Sequence, residues 1–141
     1  MKELLIRQIL DDLDQATVQR AEAVVDNVPG ITDEHQGGLE DKQIRNVIAV
    51  ADDTQSVAVV DNFIKYQIGR SDPNKKWRYG EQRGKGFGER VRTDLQWLGG
   101  LAAQRAHDAV TVEYLAIRLV RRYLGYLIRH FKYAQVQPGG N

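Results

Sequence analysis

Between residues 109 and 133 the chain has no proline, a single glycine, and an apolar residue at nearly every position a helix would turn inward. Wound at about 100° per residue, Leu119, Val120, Tyr123, Leu124, Tyr126, Leu127, Ile128 and Phe131 cover most of the circumference. Arg118, Arg121, Arg122, Arg129 and Lys132 fall in a remaining arc of about 100°, with Gly125 at its centre. A helix that is apolar on most sides needs neighbours on most sides, so this one segment directs the chain toward a helical bundle. No acidic residue interrupts the arc, and the cations have no partner one turn away on their own helix. The expectation is one exposed, purely basic stripe whose mutual repulsion an anionic ligand would relieve. Replacing Arg121 and Arg122 should then leave folding untouched. Gly125 reads in two ways, as a helix-packing point or as a place where a sugar–phosphate backbone comes close.

The rest of the chain supplies the neighbours. Residues 2–28 repeat apolar side chains at helical spacing and end at Pro29-Gly30. Residues 29–39 read as a loop. A second helix runs from about 40 to 51 on Ile44, Val47, Ile48 and Ala51, and Asp52-Asp53-Thr54 reads as a break followed by an N-cap. A third helix continues to Arg70, burying Val57, Val60, Phe63 and Ile64. Residues 71–86 hold Pro73, three glycines and five cations (Lys75, Lys76, Arg78, Arg83 and Lys85), the composition of a mobile basic loop. A fourth helix covers about 87–106, with Gly99-Gly100 marking a kink or a close-packing point. The fifth is the 109–133 helix. The expected architecture is all-α: one domain of about five helices over residues 1–133, with the basic loop before the fourth helix and a flexible tail over 134–141.

Charge is divided between the halves. Residues 1–62 carry five Lys/Arg and thirteen Asp/Glu, a net −8, and residues 63–141 carry fifteen and six, a net +9. A basic half of this density attracts polyanions, nucleic acid first among them. The acidic half, through Asp11, Asp12, Asp14, Asp52 and Asp53, is then expected to face neighbouring protein. The alternative is that both charge sets are solvated helix faces. With no cysteine, the chain has no disulfide, thiolate metal site or Cys nucleophile, which fits a reducing cytoplasm. Charged residues alternate with apolar ones from the first residues, unlike a signal peptide, and no apolar run approaches the roughly 20 residues that cross a bilayer.

Catalytic constellations do not converge. Gly84-Lys85-Gly86-Phe87-Gly88 lacks the preceding strand and the Gly-Lys-Ser/Thr ending of a P-loop. His107-Asp108 is a lone pair, and a metal phosphohydrolase needs further ligands. Neither serine, Ser56 or Ser71, sits in a nucleophile elbow. No catalytic residue, metal or cofactor is expected. Among the aromatics, Trp97 reads as core. Trp77, between Lys76 and Arg78, and also Tyr66 and Tyr79, are candidate platforms for stacked bases.

Three segments in order carry a family resemblance. Residues 38–46, reading GLEDKQIRN, resemble the G-L-x-x-x-Q-[IL]-R entry to the second helix in the small subunit of type III-A (Csm-type) CRISPR effector complexes. Residues 63–70, reading FIKYQIGR, resemble that family's L-K-x-x-[LI]-x-Y-x-x-G-R region, with Tyr66, Gly69 and Arg70 in the matching places. Residues 114–133, ending in HFKY, are similar as a helix to the family's last one, which closes on an aromatic-His-Lys cluster. The basic segment at 71–86 has a counterpart there too. The resemblance implies a cytoplasmic, non-enzymatic helical subunit in antiviral defense, repeated along a ribonucleoprotein. It would contact crRNA, target RNA, other subunits and copies of itself, and no membrane. The candidate RNA contacts are Arg45, Lys65, Arg70, Lys75, Lys76, Arg78, Arg118, Arg121, Arg122, Arg129 and Lys132. The competing readings are a helical DNA-binding regulator and a His-Asp phosphodiesterase. The first would need amides or arginines presented to base edges.

Overall fold

In a computed structural model, residues 3–137 are described and form six α-helices: α1 (Glu3–Asp12), α2 (Asp14–Asp26), α3 (Asp41–Asp53), α4 (Val57–Gly69), α5 (Phe87–Arg105) and α6 (Ala109–Gln135). Short 3₁₀ turns lie at Glu34–Gln36, Lys76–Arg78 and Glu81–Arg83, and no strand occurs among the described residues. No helix among them is long and apolar enough to cross a membrane.

α6 meets each of the other five α-helices. Its Leu115, Ile117, Leu119, Val120, Tyr123, Leu127 and Phe131 are fully buried and form the axis of the core. Around them pack Ile6 and Leu10 of α1, Ala21, Val24 and Val25 of α2, Ile44, Val47 and Ala51 of α3, Val60 and Ile64 of α4, and Val91, Leu95 and Leu98 of α5. Each of these sets recurs at helical spacing, so the apolar pattern and the packing agree.

The helix expected over 2–28 is two helices, which raises the count from about five to six. At Leu13 (φ −95°, ψ 0°) the helix breaks, although the Leu13 carbonyl still accepts the Thr17 N–H at 3.0 Å. The buried Thr17 hydroxyl donates to the same carbonyl at 2.8 Å. A threonine bonding back one turn in this way bends a helix. Thr54 ends α3 instead of starting α4; Ser56 occupies the N-cap, and its N–H donates to the Thr54 hydroxyl at 3.1 Å. α6 extends to Gln135, two residues past its expected end, because Gln135 Nε2 donates to Asp41 Oδ1 at 2.9 Å. Of the tail expected at 134–141, residues 138–141 lie outside the described residues. A Cβ added at Gly99 or Gly100 would have nothing within 4 Å, so close packing does not explain that pair, and α5 runs through both.

The 71–86 segment is folded down, contrary to the mobile loop its composition suggests. Asn74 takes the left-handed conformation (φ 57°) and its Oδ1 accepts the Gly80 N–H at 3.0 Å. The Asn74 N–H donates to Glu81 Oε2 at 2.7 Å, and Arg78 Nε donates to Glu81 Oε1 at 3.1 Å. Trp77, only 3% exposed, packs on Phe87 with ring centroids 5.9 Å apart. Gly86 marks a close approach, since a Cβ there would lie 2.9 Å from the Arg78 carbonyl, and so does Gly88 at the start of α5, where a Cβ would lie 2.6 Å from Ile68 Cγ1. The Lys76 N–H donates to the Gly37 carbonyl at 2.7 Å, which joins this segment to the loop after α2.

Candidate nucleic-acid interface

The basic arc of α6 does not stand alone in solvent. Arg118 reaches Glu3 at 2.8 Å, and Arg122 reaches Asp11 at 3.1 Å and Asp14 at 3.2 Å. Lys132 pairs with Asp41 at 2.5 Å. Arg121 donates to the Ala51 carbonyl at 2.9 Å and the Thr54 carbonyl at 2.8 Å, at the C-terminal end of α3, where orphan carbonyls and the helix dipole favour a cation. Arg129 has neither a carboxylate nor a carbonyl partner among the described residues and lies 5.9 Å from the Tyr126 ring centroid. The expectation of an unpaired stripe is therefore corrected. The acids that partner Arg118, Arg122 and Lys132 sit 91 to 115 residues away in sequence, where a helical wheel of α6 does not see them.

The titration shifts follow this geometry. Arg118 and then Tyr114 hold the Glu3 carboxyl below its ordinary value. Burial pushes Asp41 up, but hydrogen bonds from Lys132 and Gln135 more than reverse it, leaving it lowered. Burial acts against the charge on Arg122, and its bonds to Asp11 and Asp14 outweigh that, so its pKa is raised. Of the five acids expected to face neighbouring protein, three also pair within the chain: Asp11 and Asp14 with Arg122 of α6, and Asp12 with Arg105 at 2.9 Å. Asp52 and Asp53 stay exposed. Gly125 packs against nothing, since an added Cβ there would have no neighbour within 4 Å.

The remaining candidates divide in the same manner. Arg45 pairs with Asp41 at 3.7 Å and Lys65 with Asp61 at 3.8 Å, both at i,i+4 on exposed helix faces. Lys76 pairs with Glu40 at 3.8 Å and Arg78 with Glu81 at 3.0 Å. Arg70 (5.6 Å from the Tyr66 ring centroid), Lys75, Arg83, Lys85, Arg90 and Arg129 form no ion pair with a carboxylate among the described residues. Trp77 is removed from the stacking candidates by its burial, whereas Tyr66 is exposed.

Sequence reasoning passed over one polar cluster. Asp94, nearly buried, accepts from Arg20 Nε at 2.7 Å and from the Tyr123 hydroxyl at 2.5 Å, tying α2, α5 and α6 together. Burial pushes its carboxyl up, against the pull of Arg20 and Tyr123. Its signal was its position among Val91, Leu95 and Leu98, on the apolar face of α5, where a lone carboxylate requires partners. Asp108, from the His107-Asp108 pair, caps α6, its Oδ2 accepting the Thr111 N–H at 2.9 Å. His130 lies against Asp26 at 2.8 Å and Glu22 at 3.8 Å. Among the described residues no three His, Asp or Glu side chains come together as a metal site.

Compared with known proteins, the chain matches no family model, no curated sequence and no solved structure.

Proposed function

We propose that this chain is a non-catalytic RNA-binding small subunit of a type III CRISPR ribonucleoprotein. It holds the crRNA–target backbone and touches neighbouring subunits, including further copies of itself. The observation that carries the reading is the residue of charge left after internal pairing. Arg70, Lys75, Arg83, Lys85, Arg90 and Arg129 keep no carboxylate partner among the described residues, while Asp52 and Asp53 stay exposed on the opposite half of the sequence. Cations without a carboxylate partner suit phosphate contacts, which give affinity without sequence information. A subunit that must accept any guide and target needs that property, because base pairing supplies the specificity. The segments at 38–46, 63–70 and 114–133 add the family resemblance. The regulator reading loses its recognition helix, since α6 spends most of its cations on α1, α2 and α3.

Purification of the tagged chain from its native cells, followed by sequencing of the bound RNA, tests the reading. Short RNAs sharing a common repeat-derived end are expected, together with co-purifying subunits. Their absence, or metal-dependent RNA cleavage that vanishes in His107→Ala, sinks it.

A further inference from the structure

The loop after α2 and the 71–86 segment pack against each other and leave a cleft of about 350 Å³ between them and the first turn of α5. Val28, Pro29 and Tyr79 form part of its wall. Arg83, Lys85 and Arg90 line it, and no carboxylate does. Arg90 Nε donates to the Lys85 carbonyl at 2.9 Å, and Lys85 Nζ donates to the Thr93 hydroxyl at 3.1 Å. These bonds hold the side chains without neutralising them. The other N–H groups of Arg90, and the Arg83 guanidinium, make no hydrogen bond among the described residues, and Arg90 feels the Asp94 carboxylate only through space. Three cations in one cleft repel each other, and an anion seated between them removes that cost.

The uncharged lining points to more than a bare phosphate. Asn27, Gln36 and Gln82 line the same cleft, and their side-chain amides make no hydrogen bond among the described residues. Each amide offers two donors and an acceptor, the complement of a base edge. An adjoining recess shares Asn27, Lys85 and Arg90, and its one carboxylate, Asp94, is already paired with Arg20 at 2.7 Å.

We infer that this cleft takes one nucleotide of a single-stranded stretch of RNA, with its phosphate against Arg83, Lys85 and Arg90 and its base among Asn27, Gln36 and Gln82. The inference rests on the RNA-binding reading above and gives it a defined site. The volume lies at the low end of small-ligand clefts, roughly 300–1,000 Å³, enough for one nucleotide and far too little for a duplex. Gln82, Arg83 and Lys85 are exposed, so a lone nucleotide would keep much of its surface in water. A strand gains further contacts as it passes on, and single-stranded RNA is the form whose bases turn outward for such contacts.

Anisotropy titrations of labelled oligouridylate RNA over a range of salt concentrations test the cleft. Arg83→Gln, Lys85→Gln and Arg90→Gln together should flatten the log K versus log salt slope by roughly 2, three phosphate contacts at about 0.7 each. Lys42→Gln, on the exposed face of α3, should leave the slope unchanged. Photo-cross-linking of thiouridine-labelled RNA to the unsubstituted chain should mark the peptide containing Tyr79, a readout independent of whether the triple variant folds. If the chain binds RNA but the folded triple variant keeps its slope, or cross-links fall only outside 27–37 and 79–90, the cleft is overturned and the RNA-binding reading stands. If the chain binds no RNA while 5′-AMP shifts the Gly80 and Gly84 amide resonances, a free nucleotide is the occupant, and both the strand inference and the RNA-binding reading fail.

Discussion

Two regions of this molecule carry five cations each, the α6 arc from Arg118 to Lys132 and the segment at 71–86. In the arc, three cations are held by carboxylates of the N-terminal half and a fourth by carbonyls at the end of α3. In the segment, Lys76 and Arg78 are held, while Lys75, Arg83 and Lys85 stay exposed without a carboxylate. The difference follows from position in the bundle. α6 runs through its middle, so the helices of the acidic half come to lie beside its arc. The segment sits at the rim, where Trp77 and Phe87 anchor the backbone and solvent receives the charged ends. Local cation density therefore says little about availability to a ligand; what packs opposite decides it.

The comparison breaks first at Trp77. If the rim segment is part of the core, Trp77→Ala removes a buried aromatic and should cost about 3–5 kcal/mol in urea-unfolding stability. RNA affinity should fall with it, because the cleft is built on the same turn. A loss below about 1 kcal/mol would mean that the segment is only loosely attached.

Arg121 gives the next largest effect and separates the two regions most directly. Its bonds to the Ala51 and Thr54 carbonyls are charge-assisted and partly buried, so Arg121→Ala should lower stability by about 1.5–3 kcal/mol. The salt slope of RNA binding should not move. A slope flattened by about 0.7 at undiminished stability would return Arg121 to the RNA surface.

The smallest effect is titration of the arc. The Glu3 carboxyl is held below its ordinary value of 4.5 by Arg118 and Tyr114, so its contribution is fully present above pH 4.5 and is lost as pH falls through the lowered value. Asp41, lowered from 3.8, acts in the same direction at slightly lower pH. Asp94 runs the other way: its carboxyl is raised from 3.8, so the contribution of its protonated form fades as pH rises through the raised value. Glu81 is likewise held below its ordinary value, by the Asn74 N–H and Arg78, so hydrogen exchange should show the α1 amides and the Asn74 amide opening below about pH 4.5. Glu3→Gln should remove most of that α1 pH dependence, and α1 protection unchanged down to pH 3 would rule the pairing out.

The helical class, the apolar face of each helix and the central burial of α6 were legible in the sequence, because 3.6-residue periodicity is a local property that any window displays. Even the clash between Thr17 and a straight first helix, or between Asp94 and the apolar face of α5, left a local trace. The charge pairing was not legible. Glu3 with Arg118, Asp11 with Arg122 and Asp41 with Lys132 are joined across nearly the length of the chain. Only the docking of α1, α2 and α3 onto α6 brings them within reach. The same holds for residues 71–86, whose glycines and lysines read as a free loop until Trp77 finds Phe87 and the Lys76 N–H finds the Gly37 carbonyl. Within the α-helices, sequence alone determined most of the side chains that turn inward, because backbone geometry repeats every turn; tertiary structure buried Trp77 and decided which charges remain free, because packing, Coulomb attraction and desolvation depend on distance through space.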